Sequence, residues 1–285
     1  MKQLVLNQEK VDKAKSKILK DGAKKLHILA DFDRTITKTF VNGKEVRSLM
    51  EFFRSNEKYI SKDYAEKSTA LANFYRLIEQ DPVIPLEEKK VKMEEWWTKH
   101  FDPLIESGLN KKHLKTMIEN AEKEGFLEFR EGFLELLDML KEKDIPLVII
   151  SSSGLGVTIE MFLEKYKKMY KNVHVITNEY IWDEKGNAIG VKKPIIHVFN
   201  KDESSINKFP KLHEELKERK NVILLGDSLG DLGMISGFDY DTLLSFGFLE
   251  DNVEKNMPLY EQKYSIILTE NPSFSEINKL VKKVK

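Results

Sequence analysis

The sequence contains no cysteine. That absence excludes disulfide bridges and thiolate metal centres, so any metal must be held by oxygen or imidazole. No apolar run is long enough to cross a bilayer. The opening residues, MKQLVLNQEK, lack the apolar core of a secretory signal. Charge of one sign is not in excess either: 47 Lys and Arg balance 47 Asp and Glu, so no basic field argues for nucleic acid. The six histidines show no metal-ligand spacing. No internal repeat or low-complexity tract is present. The expectation is a soluble cytoplasmic monomer with no membrane or nucleic-acid polymer partner.

What is there is an α/β rhythm with an interruption. A chain of 285 residues allows one large domain, or a core domain with an insert. Residues 7–24 read as an amphipathic helix stopped near Gly22. The run LHILA, Leu26–Ala30, reads as a buried strand, and Asn42-Gly43 signals a hairpin. From Arg47 to Lys123 long charged helical patterns dominate, with breaks at Pro82, Pro85 and Pro103. From Glu128 strands and helices alternate again: IPLVII, VHVITNEY, PIIHVFN, NVILLG, DTLLSFGF and YSIILTE read as strands. Alternation of this kind predicts a parallel sheet with helices on both faces. The expected division is an α/β core, 1–40 and 128–285, and a helical cap, 41–127.

Three of these strands end in polar clusters: Asp31 and Asp33, Ser151–Ser153, and Asp227 with Asp231. In parallel sheets ligands bind beyond the carboxyl ends of the strands. If the strands are parallel, the clusters meet at one edge. Four gathered acids would raise one another's pKa unless a cation sat among them. Hard oxygen donors without His or Cys suit Mg²⁺, which shares its shell with phosphates. A carboxylate beside such a cation can attack phosphorus. Ser152 and Ser153 and the helix start behind them offer donors to a phosphate. Lys201, at the end of the PIIHVFN run, would balance its charge; Lys192 and Lys193 are the alternatives.

These residues carry a resemblance. DFDRT (Asp31–Thr35), the strand ending at Ser152, Lys201 and GDSLGD (Gly226–Asp231) resemble, in order, the four motifs of the haloacid dehalogenase superfamily. The helical insert resembles that superfamily's C1-type cap. YRLIEQDP, EEWWTK, SSSGLG, IIHVFNK and VILLGDSLGDL narrow the similarity to the cytosolic 5′-nucleotidase III family, the pyrimidine 5′-nucleotidases. Arg34, Ser153 and His100 depart from the commoner family residues.

The resemblance implies a Mg²⁺-dependent hydrolase of nucleoside 5′-monophosphates, CMP and UMP among them. It implies Asp31 as nucleophile and metal ligand, and Asp33 as general acid and base. The Asp33 backbone carbonyl and Asp227 would complete the protein's metal ligands, supported by Asp231. Ser152 and Lys201 would bind phosphate and Glu79, in the cap, the nucleobase; Thr35, Ser153, Trp97 and His100 are further expected substrate contacts. Trp96 and Trp97 are adjacent on a helix and so point about 100° apart; one is expected in the core and the other at the site. An indole at 97 suits a larger, cationic base, which adds 7-methylguanosine monophosphate to the expected substrates. The rival readings are another small-molecule phosphatase, such as a phosphoserine phosphatase, and an inactive nucleotide-binding protein.

Overall fold

Leu26–Ala30, five consecutive apolar or weakly polar residues and all buried, form the middle of the molecule. In the computed structural model this strand, β2, lies in a seven-stranded sheet. The structure describes every residue except 1, 6, 47, 55, 57, 58, 60, 82, 202–208, 237 and 238, and of Lys62 the backbone alone. Along the chain the remaining strands are β1 (Lys2–Val5), β3 (Phe40–Val41), β4 (Lys44–Glu45), β5 (Leu147–Ile150), β6 (Val173–Ile176), β7 (Tyr180–Trp182), β8 (Ala188–Val191), β9 (Asn221–Gly226), β10 (Thr242–Phe248) and β11 (Ile266–Thr269). The sheet order is β1-β11-β10-β9-β2-β5-β6, and only the β1–β11 pairing is antiparallel.

The helices are α1 (Gln8–Asp21), α2 (Leu49–Arg54), α3 (Lys62–Gln80), α4 (Leu86–Glu106), α5 (Lys111–Lys123), α6 (Phe133–Glu142), α7 (Val157–Lys165), α8 (Pro210–Leu216), α9 (Val253–Glu261) and α10 (Ser275–Lys283). Helix α1 is capped by the Asn7 side chain and ends at Gly22, whose φ of 77° ends the helical path. The sheet buries apolar residues on both faces. One face carries Leu26, Ile28 and Ile149, and the other Leu29, Val148 and Leu224. Burial on both sides explains why these strands read as unbroken apolar runs.

The Asn42-Gly43 hairpin forms as read. Both residues have positive φ, 51° and 75°, and Val41 pairs with Lys44 across them. Two features differ from the sequence expectation. The PIIHVFN run makes no strand: residues 194–200 are loop, although Ile195 and Ile196 are buried. And the expected strand VHVITNEY stops at Ile176, while Tyr180 begins a separate two-stranded ribbon, β7–β8. Asn110, which caps α5, donates from Nδ2 to Asn187 Oδ1 at 2.8 Å, so this ribbon is tied to the helical segment. Among the described residues no helix is long and apolar enough to cross a membrane.

Candidate active site

β2 lies between β9 and β5, and all three run in the same direction. Their carboxyl ends therefore deliver Asp31, Asp227 and Ser151–Ser153 to one edge. The backbone N–H of Asp31 still donates to Leu225 O of β9 at 3.0 Å, which fixes the chain where it leaves the strand. Asp31, Asp227 and Asp231 each present a carboxylate oxygen, all within 4.8 Å of one another.

Lys201 is the counter-charge. Its ammonium bonds Asp31 Oδ1 and lies 3.2 Å from Asp231 Oδ1. Burial alone would favour the neutral amine, but the two carboxylates outweigh it and hold the lysine charged well beyond its usual range. Asp31 itself is pushed up to about 6, by burial first and by Asp231, with Lys201 opposing. Asp227 is raised well above its ordinary value by burial and by Asp231 and Asp31. Three carboxylates thus crowd one edge, and their mutual repulsion would be relieved by a further cation. With only carboxylate oxygens on offer, its donor chemistry fits a hard divalent cation.

The two oxygens of Asp231 are already engaged. Oδ2 accepts from the backbone N–H groups of Asp227 (3.1 Å) and Ser228 (2.9 Å) and from the Ser228 hydroxyl (2.9 Å), while Oδ1 faces Lys201. Asp33 is pushed up to about 7 by burial and by Asp31; Lys201, the Leu49 backbone and Arg34 pull the other way. Arg34, at φ 64°, carries its guanidinium to 3.6 Å from Asp227, 3.8 Å from Glu45 and 3.7 Å from Asp251.

The serine run divides its duties. Ser151 Oγ accepts from Ser153 N at 3.1 Å, and Ser153 Oγ from Leu155 N at 3.2 Å. Those two hydroxyls stabilise the turn. Among the described residues the Ser152 hydroxyl has no such partner. Thr35 is fully buried, its hydroxyl without a hydrogen bond among the described residues.

Helices α3 and α4 reach this edge through two side chains. The Trp97 ring lies so close to Gly154 that a Cβ there would stand 2.7 Å from its Cζ3. Glu79 is raised by burial, while the charges of Arg76, Lys201 and Lys89 act to keep it ionised. Lys89 donates to Glu79 O at 2.8 Å and stands 5.6 Å over the Phe199 ring, linking both helices to the Lys201 loop.

Two features of this face were not visible in the sequence. Trp96 and Trp97 do not diverge: their rings stack at 5.7 Å and 15°. They belong to a row running from Tyr75 through Trp96 and Trp97 to Phe101. His100 is 3% exposed, and its ring nitrogens face Tyr64 OH (3.1 Å) and Ser68 Oγ (3.4 Å). It packs edge-on against Trp97 and offers substrate no free nitrogen in this arrangement.

Three groups of residues escaped the sequence reading. Buried Asn178 pairs with both backbone groups of Ile196 (2.8 and 2.9 Å) and reaches Ser152 O and Ser153 O at 3.4 Å. One amide thus joins the serine loop to the Lys201 loop, replacing the strand expected there. Arg130, 2% exposed, donates to Thr35 O (2.9 Å), Arg34 O (2.5 Å), Thr39 Oγ1 (3.0 Å) and Pro272 O (3.3 Å), and pairs with Glu250 at 2.6 Å. It pins the loop that follows Asp33. Tyr260 and Tyr264 lie under the Asp227 turn. Neither Asn178 nor Arg130 belongs to a periodic pattern; the tyrosines had a faint signal in Gly226 and Gly247, since glycine inside a strand marks close approach.

Comparison with known proteins adds the context. The sequence matches the family "Pyrimidine 5′-nucleotidase (UMPH-1)" over residues 34–285. It is 32% identical to the human 7-methylguanosine phosphate-specific 5′-nucleotidase, covering 100% of this chain and 93% of that protein. The Drosophila melanogaster protein of the same name is 31% identical over 88% of this chain and 77% of its own length. The crystal structure of cytosolic 5′-nucleotidase IIIB bound to cytidine superposes with a TM-score of 0.88 at 27% identity, covering 99% of this chain and 93% of that one. A substrate-bound phosphoserine phosphatase shares the fold at a TM-score of 0.53 and 18% identity, covering 92% and 98%.

Proposed function

The chain belongs to the pyrimidine 5′-nucleotidase family and is a 5′-nucleotidase of haloacid dehalogenase fold, and from that premise we propose that Asp31 is its nucleophile and that 7-methylguanosine monophosphate and CMP are its substrates. The observation that carries the mechanism is the buried bonding of Lys201 to Asp31 and Asp231 at the ends of adjacent parallel strands. It sets an acid that would otherwise take up a proton beside a permanent positive charge.

The Asp31 carboxylate attacks phosphorus, and the bond from phosphorus to the ribose O5′ breaks. Asp33, with a pKa near 7, gives its proton to the leaving oxygen. The nucleoside departs, leaving an aspartyl-phosphate on Asp31. Asp33 then takes a proton from a water that attacks the phosphorus, releasing phosphate and restoring Asp31. Lys201 and the Ser152 hydroxyl hold phosphate oxygens throughout. The carboxylates of Asp31 and Asp227 and the Asp33 backbone carbonyl would hold Mg²⁺, which would supply neutralising charge to the phosphate and the acids. Asp231, with both oxygens engaged, holds Lys201 and the Asp227 turn instead.

Helices α2–α5 act as a cap over this edge, its boundaries near residues 41 and 127. Trp97 is partly buried and meets the serine loop at Gly154. An indole face attracts a cationic base such as a methylated guanine by roughly 0.5–2 kcal/mol. Glu79 can accept from the guanine N1–H and N2–H₂ edge and offset the ring's charge, but takes only one such bond from the cytosine amino group. The relatives named for 7-methylguanosine phosphate and the cytidine-bound relative support this pair of bases. Phosphate release measured across nucleoside monophosphates and phosphoserine tests the reading. Turnover confined to phosphoserine, or none with any nucleotide, would overturn it.

A further inference from the structure

The Asp227 turn is gripped from both sides. Its two backbone N–H groups, of Asp227 and Ser228, donate to Asp231 Oδ2. Its two carbonyls are taken by phenols: Tyr260 OH donates to Asp227 O, and Tyr264 OH to Ser228 O at 2.5 Å. All four backbone polar groups of the two residues are therefore bonded. A peptide so held has little freedom to rotate, and the carboxylate it carries is directed accordingly.

The sheet is shaped to admit these phenols. Gly226 and Gly247 are register partners on β9 and β10. A Cβ on Gly247 would stand 2.8 Å from the Tyr264 ring, and one on Gly226 would stand 2.8 Å from its hydroxyl oxygen. The two tyrosine rings stack at 5.2 Å and 26°, and both are buried, 6% and 2% exposed. A hydrophobic side chain would fill this space as well as a phenol. What phenols add is two donors, and both are aimed at the turn that bears Asp227.

We infer that Tyr260 and Tyr264 are positioning residues that set the Asp227 carboxylate for the divalent cation. The inference rests on the metal reading of Asp31 and Asp227 above. Residues behind a metal ligand commonly change affinity by roughly 10–100-fold when removed.

The test is calorimetric titration of Mg²⁺ into the full chain, without nucleotide, alongside thermal melting. The variants are Tyr260→Phe, Tyr264→Phe and the double substitution, which keep the rings and remove only the hydroxyls. Tyr180→Phe is the control, since it deletes an equally buried phenol bond, to Gly154 O, away from Asp227. The expected result is an Mg²⁺ Kd raised about 10-fold or more in the double variant, less in each single variant, and unchanged in the control. A merely structural role would lower the melting temperature and leave Kd alone. Unchanged Kd in the folded double variant overturns the inference while the metal reading stands. No Mg²⁺ binding by the unmodified protein overturns both.

Discussion

The ammonium of Lys201 bonds the carboxylate of Asp31 although 170 residues separate them in the chain. Both are buried, at 6% and 5% exposure. Neither charge would be stable there alone, since burying an unpaired ion costs several kcal/mol. Lys201→Met should therefore lower stability at pH 8 by about 3–5 kcal/mol, with a smaller loss near pH 5, where the raised carboxylates take up protons. Turnover should fall roughly 10²–10³-fold, the range for removing one donor to developing charge. Denaturation curves at the two pH values, beside phosphate-release rates, check this. An equal loss at both would show that Lys201 does not act on the acids.

Asp31→Asn preserves shape and removes the attacking charge. Activity should fall at least about a thousandfold, or roughly 4 kcal/mol of barrier. Asp33→Asn should also be severely impaired, because it can no longer protonate the ribose oxygen. Trapping of labelled phosphate on the protein should disappear in Asp31→Asn. Near-normal turnover by a folded Asp31→Asn protein would contradict the nucleophile assignment.

Removal of divalent metal should abolish turnover, and Mg²⁺ should restore it and raise the melting temperature. Ca²⁺ should bind but inhibit, because its larger and looser shell misplaces the attack. Full activity in EDTA is the outcome that rejects a metal among Asp31 and Asp227.

Trp97→Ala should raise KM for 7-methylguanosine monophosphate more than for CMP, with kcat less affected, because stacking acts on the bound ground state. Steady-state kinetics on the two nucleotides decide it. Equal losses for both would leave Trp97 as a packing residue between α4 and Gly154.

His100 gives a pH signature. Burial, with the charge of Arg54, depresses its pKa from an ordinary 6.5 to about 3. Between those values the unfolded chain binds a proton that the folded chain refuses. Its contribution to stability is thus lost as pH falls below about 6.5, by about 2 kcal/mol between pH 7.5 and 5. Asp31 and Asp33, raised in the fold, work in the opposite sense over part of this window. Comparing His100→Gln with the unmodified protein at both pH values cancels them. The variant should lose less stability on acidification; identical pH slopes would refute the assignment.

Leu26–Ala30, Leu147–Ile150 and Asn221–Gly226 declared themselves in the sequence because strands buried on both faces need unbroken apolar residues. The acids and serines that end them were legible for the same reason: polar groups abruptly closing a buried run have few roles. Parallel alternation then implied that they meet. The sequence did not show how Lys201 arrives. A buried apolar run beside it mimics a strand, and only the fold reveals that Asn178 takes the backbone bonds a neighbouring strand would have made. His100 was expected at the substrate because the resemblance places a substrate contact at that position; the sequence gives no sign that the packing of α3 on α4 sets its ring against Tyr64 and Ser68. Arg130, Tyr260 and Tyr264 act on backbone carbonyls far away in the chain. Such bonds leave no period and no spacing, because any residue supplies the carbonyl, so only the tertiary structure determines them.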